Sequence, residues 1–147
     1  FSSFLGIVII TGCSACNNGK VTQDYDKYLQ DFNNDLKTIG EPTIDFSQTK
    51  FLVTEKYKES FGADALCSET IKRNNGVAFI FVSENMKIYN DTAARYLIYH
   101  ELGHCFYGLK HKSGNNLMSE QIGTLVKWNS DFNETNRINY IKEMVKQ

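Results

Sequence analysis

All three histidines of the chain fall within the stretch HELGHCFYGLKH, which runs from His100 to His111. Two of them are four residues apart, and a glutamate follows the first. On a helix, residues i and i+4 stand one above the other on the same face, so His100 and His104 can aim two imidazole nitrogens at one point. Glu101 lies roughly 100° around the helix from His100. It cannot readily ligate the same ion, but it can hydrogen-bond a water held on that ion, which is the position of a general base. A catalytic zinc needs a third protein ligand and one open position. His111 is the candidate for the third, because Gly108 allows the chain to leave the helix and turn back without the steric cost of a Cβ. A lone histidine reads first as a surface or core imidazole. Three together, with this spacing and this glutamate, read as a zinc site.

The elements that must position these residues are also readable. Asn90, Asp91 and Thr92 supply an N-cap for a helix over 92–108, with Ala93, Leu97, Ile98, Leu102 and Cys105 near its buried side and Gly108 at its end. Before it, GVAFIFVSE (76–84) is the strongest strand signal in the chain, and NMKIYN leads out of it as a loop. Further upstream, Tyr25, Tyr28, Leu29, Phe32, Leu36 and Ile39 repeat at helical spacing over 22–39, with Thr22 and Asp24 as caps and Gly40-Glu41-Pro42 as the stop. TIDFSQTKFLVTEKY (43–57) predicts one or two strands, and KESFGADALCSET (58–70) an irregular segment. After the histidines, 109–123 reads as loop, TLVKWNSDF is ambiguous, and 133–147 reads as a closing helix with Ile138, Ile141, Met144 and Val145 facing in. Helix, strands, a strong strand, the histidine helix, a loop and a final helix make an α+β layout, with a small mixed sheet.

The start of the chain differs from the rest. FSSFLGIVIITGC is apolar, rich in small residues and free of charge. It is too short to span a bilayer and fits the apolar part of a secretory signal peptide. With no initiator Met and no basic segment ahead of it, the sequence would begin inside that peptide. Its end, Ile10-Thr11-Gly12-Cys13, resembles the bacterial lipobox, which implies lipidation at Cys13. A C-x-x-C pair of Cys13 and Cys16 is the competing reading, but an apolar leader is not its usual setting. The expected organisation is a partial lipoprotein signal peptide over 1–12, a tether over 13–21 and one domain over 22–147. The protein would then be an exported bacterial lipoprotein of the cell envelope, touching membrane only through its lipid. In that oxidising compartment Cys105 reads either as core or as the disulfide partner of Cys67. Across 147 residues the net charge is −1, the apolar fraction 41% and the charged fraction 22%. These values suit one globular domain and give no reason to expect nucleic acid as a partner.

HELGHCFYGLKH followed by NNLMS resembles the metzincin clan of zinc endopeptidases, whose signature is H-E-x-x-H-x-x-G-x-x-H with a downstream Met-turn. The resemblance covers about residues 76 to 120. It departs from the signature in one place: three residues, not two, separate His104 from Gly108. Small bacterial metallopeptidases with HELGHC and this lengthened spacing are more similar than matrixins or astacins. The resemblance implies His100, His104 and His111 as zinc ligands, Glu101 as the base and Met118 as the Met-turn residue, in a metzincin-like catalytic domain acting on peptide or protein. It also implies that 76–84 is an edge strand pairing with substrate; the alternative is a buried core strand, since its central residues are apolar on both faces.

Two other readings compete. Glu134 could replace His111 as third ligand, in the manner of gluzincins. Alternatively, the chain could be a zinc-binding surface lipoprotein without activity, although such a site has no need of Glu101. Tyr99 and Tyr107 are the nearby candidates to assist the oxyanion.

Overall fold

Apolar residues at intervals of three and four fold Asp26–Thr38 into helix α1, burying Tyr28, Leu29, Phe32 and Leu36. The computed structural model describes residues 19–54, 65–67, 78–119 and 132–147. Helix α1 begins later than its pattern predicts, with Tyr25 at the N-cap position. Thr22 is not a cap because it belongs to strand β1, Lys20–Thr22. That strand pairs antiparallel with β2, Thr49–Val53. The folded unit therefore takes in Lys20 and Val21, which the sequence reading assigned to the tether. The leader, Cys13 and Cys16 lie outside the described residues.

Among the described residues, β3 (Ala65–Cys67) and β4 (Ala78–Val82) complete a four-stranded sheet in the order β1-β2-β4-β3. β2 and β4 run parallel, while β1 and β3 are antiparallel to their neighbours. The fold is thus α+β with a small mixed sheet. β4 is not an edge strand. It lies between β2 and β3, and all five of its residues are buried. Alternation sends its side chains to two faces. Ile80 and Val82 join Phe51 and Ala65 in the main core, while Phe79 and Phe81 pack with Leu52 in a second cluster. The reading of 76–84 as the substrate-pairing edge is therefore corrected in favour of the core-strand alternative. β3 ends the sheet on that side, within a segment whose sequence reads as irregular.

A short 3-10 helix, Glu84–Ile88, leads into α2, Asp91–Tyr107. Asn90 caps α2 with its side-chain oxygen, which accepts the Ala93 N–H at 2.9 Å. The helix is buried nearly all round. Ala93, Ala94 and every residue from Tyr96 to Gly103 are buried, a far wider set than the five predicted, and Cys105 is half-buried. Such a helix lies inside the domain rather than on its surface. α1 packs on it through Phe32 and Tyr99, ring centroids 4.8 Å apart.

Helix α3, Glu134–Val145, closes the chain, capped by the Asn133 side chain. It buries Ile141 and Met144. Arg137 reaches Asp35 of α1 with bonds of 2.7 and 3.0 Å, and the Tyr99 hydroxyl of α2 donates to the same carboxylate at 2.7 Å. The segment TLVKWNSDF lies outside the described residues except for Phe132, which is buried. Among the described residues, no helix is long and apolar enough to cross a membrane.

Candidate metal centre

The site begins with how α2 ends. Gly108 adopts a left-handed φ of 63°, which a Cβ disfavours. The turn lets the Leu109 N–H donate to the Gly103 carbonyl at 3.1 Å. It also brings the Leu109 carbonyl to His104 Nδ1, 2.6 Å away. The chain then folds back on itself, and the Lys112 N–H donates to the Met118 carbonyl at 2.9 Å. The Met118 N–H in turn donates to Asn116 Oδ1 at 2.9 Å. This closure carries His111 towards the helix and places the Leu117 carbonyl 2.7 Å from His100 Nδ1.

These carbonyls decide the tautomers. A carbonyl oxygen only accepts, so Nδ1 of His100 and of His104 each carries a proton, and each neutral ring presents a bare Nε2. His100 Nε2 lies 3.1 Å from His104 Nε2 and 3.2 Å from His111 Nε2. The bare Nε2 atoms of His100 and His104 repel one another at this distance unless a cation lies between them. Spacings of this size match nitrogens bound to one ion at about 2.0–2.1 Å and roughly tetrahedral angles. His100, His104 and His111 could thus hold a metal ion, with ligand atoms all within 4.8 Å of one another. Burial, reinforced by the two neighbouring imidazoles, holds His100 down to about 4 against the Leu117 hydrogen bond, so it is neutral at pH 7, as a ligand must be. His100 is buried, His104 half-buried and His111 exposed, so the cluster reaches solvent on the His111 side.

Glu101 is 4% exposed. Its Oε2 accepts the backbone N–H of Cys67 at 2.6 Å. Burial pushes its carboxyl up to about 7, against the lowering effect of that N–H. Cys67 is in turn disulfide-bonded to Cys105, with Cα atoms 5.8 Å apart, so the bridged alternative for Cys105 holds.

Met118 is wholly buried. Its side chain packs against Gly103 of α2. A Cβ built on Gly103 would overlap the Met118 sulfur, with Met118 Cε at 3.2 Å and Met144 Sδ at 3.1 Å. Glu134 is exposed in the first turn of α3 and is not a member of the histidine cluster. Tyr99 is buried, its hydroxyl given to Asp35, and Tyr107 packs edge-on against Phe32 with centroids 6.5 Å apart.

Sequence reasoning passed over four contributors: Gly103, the Cys67 N–H, and the carbonyls of Leu109 and Leu117. Only Gly103 carries a signal, since a glycine inside a helical pattern is unfavourable and calls for a packing reason. Comparisons with protein-family models, curated proteins and solved structures found no match to this chain.

Proposed function

We propose that the chain is a zinc-dependent endopeptidase of the metzincin kind, with Glu101 as general base. The observation that carries this reading is three converging imidazoles, two of them on one helix, with a buried carboxylate next in sequence to the first. His100 Nε2 lies 3.1 and 3.2 Å from the other two Nε2 atoms, and Glu101 is the next residue. A structural ion has no need of that carboxylate, whose burial is costly without a role. An all-imidazole donor set suits zinc. When bound, zinc supplies the Lewis acidity that makes a water nucleophilic near neutral pH and polarises the scissile carbonyl. The chain's own residues do the rest. The Leu117 and Leu109 carbonyls keep His100 and His104 in the ligating tautomer. Glu101, with Oε2 held by Cys67, has Oε1 to take the proton of the attacking water and pass it to the leaving amine.

Export is part of the same proposal. A disulfide between Cys67 and Cys105 supports an oxidising compartment. On this reading Cys13 carries the lipid and holds the domain at the cell envelope, where it meets peptide or protein substrates.

The test is turnover of casein or a quenched peptide by the wild type and by Glu101→Ala, each at one zinc per chain. The variant is expected to be about 10²- to 10⁴-fold slower. Equal rates, or no turnover by the wild type, would overturn the proposal.

A further inference from the structure

We propose that Cys67 is a positioning residue for Glu101, and that its disulfide to Cys105 keeps it in place. This rests on the endopeptidase reading above. Glu101 and Cys105 are four residues apart on α2 and so share a face. Both reach the same residue of β3. Glu101 Oε2 accepts the Cys67 N–H at 2.6 Å, and Cys105 is bonded to the Cys67 sulfur. Cys67 is therefore tied to one face of the metal-site helix at two levels a turn apart.

The physical need for the tie lies in β3. Among the described residues, the strand is three residues long and ends the sheet. A short terminal strand opens at low free-energy cost. The disulfide converts its return to the carboxylate into an intramolecular event at high effective concentration. With Oε2 fixed, Oε1 faces one way. A displacement of about 1 Å in a group that must meet a proton in flight can cost roughly a hundredfold in rate.

Reduction should therefore weaken the enzyme without removing its metal. A trialkylphosphine with water does this in balance. Phosphorus gives two electrons and takes the oxygen, the S–S bond breaks, and the two water protons go to the Cys67 and Cys105 sulfurs. A phosphine is preferable to a dithiol, which would also compete for zinc.

The experiment compares zinc-loaded wild type before and after phosphine reduction, and after reoxidation, alongside Cys67→Ser/Cys105→Ser. Zinc per chain, kcat, KM and the hydrogen-exchange rate of the Cys67 amide are measured well below Tm. Reduction is expected to leave zinc and KM unchanged, to lower kcat about tenfold or more, and to speed Cys67 amide exchange by about tenfold or more. Reoxidation restores both. Should the double serine variant not fold, the reduced wild type gives the same comparison. A disulfide that merely stabilises would lower Tm and move neither kcat nor Cys67 exchange, and that result overturns the inference while leaving the endopeptidase reading intact. Faster Cys67 exchange on reduction, in a protein whose oxidised form cleaves nothing, supports the tie and overturns the endopeptidase reading instead.

Discussion

His111 differs from its two companions in that no helix carries it. His100 and His104 are fixed by the rise of α2, whereas His111 arrives through the left-handed Gly108 and the Lys112–Met118 closure. It is exposed, so its removal costs ligation without opening a core. His111→Ala is expected to weaken zinc binding by on the order of a hundredfold or more, exceeding the usual loss for an outer partner of a ligand. Its metal-free fold and Tm should match the wild type. Glu134→Ala, at an exposed first-turn position of α3, should bind zinc normally. Zinc titration of both variants checks this, and loss confined to Glu134→Ala would return the later-glutamate reading. The pair His100 and His104 was legible because an i, i+4 relation is local geometry. The extra residue before Gly108, which set the motif apart from the metzincin signature, is taken up as helix, since α2 runs on to Tyr107. The carbonyls of Leu109 and Leu117 were not legible, because a backbone acceptor leaves no mark in a residue type.

Gly103 shows how an element can reverse an ordinary rule. In an exposed helix, Gly→Ala stabilises by about 1 kcal/mol, because alanine surrenders less chain entropy. On α2 the new methyl would meet Met118, wholly buried, and Met144 of α3, 3.1 Å away at its sulfur. Neither thioether has solvent to move into. Gly103→Ala is therefore expected to destabilise by about 1–3 kcal/mol, the usual cost of overpacking, and to lower Tm by several degrees. Thermal unfolding of the metal-free protein separates this from any effect of zinc, and a rise in Tm would show that the two methionines yield. The elements themselves were unequally legible. β4 announced itself as an apolar run, and α3 by the spacing of its apolar residues. β3 did not, because three residues carry no period. The breadth of burial on α2 was hidden because a helix packed on every side has no polar stripe to orient it. The edge role expected of 76–84 failed for a related reason: a run apolar on both faces specifies burial, and its neighbours decide whether it lies inside the sheet.

At the scale of the whole molecule, three helices meet at one carboxylate. Asp35 of α1 accepts from Arg137 of α3 at 2.7 and 3.0 Å and from the Tyr99 hydroxyl of α2 at 2.7 Å. The side chains of Asp35 and Arg137 are only 7% and 15% exposed. The residues are far apart in sequence, so no pattern along the chain predicts their meeting. Tyr99 directly precedes the ligand His100, which makes this network the support on the side of α2 that faces α1. A buried ion pair is weak evidence for net stability, because desolvation offsets much of the attraction. Removing one partner is another matter, since it strands the other charge. Arg137→Met should leave Asp35 buried with only the Tyr99 hydroxyl, at a cost of about 3–5 kcal/mol and a fall in Tm on the order of 10 °C. Replacing all three groups by apolar ones of similar size, in Asp35→Leu/Tyr99→Phe/Arg137→Met, leaves no polar atom stranded and should recover most of that loss. Denaturant unfolding of the single and triple variants decides the point. A triple variant no more stable than Arg137→Met would mean that the network contributes through attraction rather than through the penalty of breaking it. Zinc titration of the same variants then shows whether fastening α1 and α3 to Tyr99 also holds His100 in register with His104 and His111.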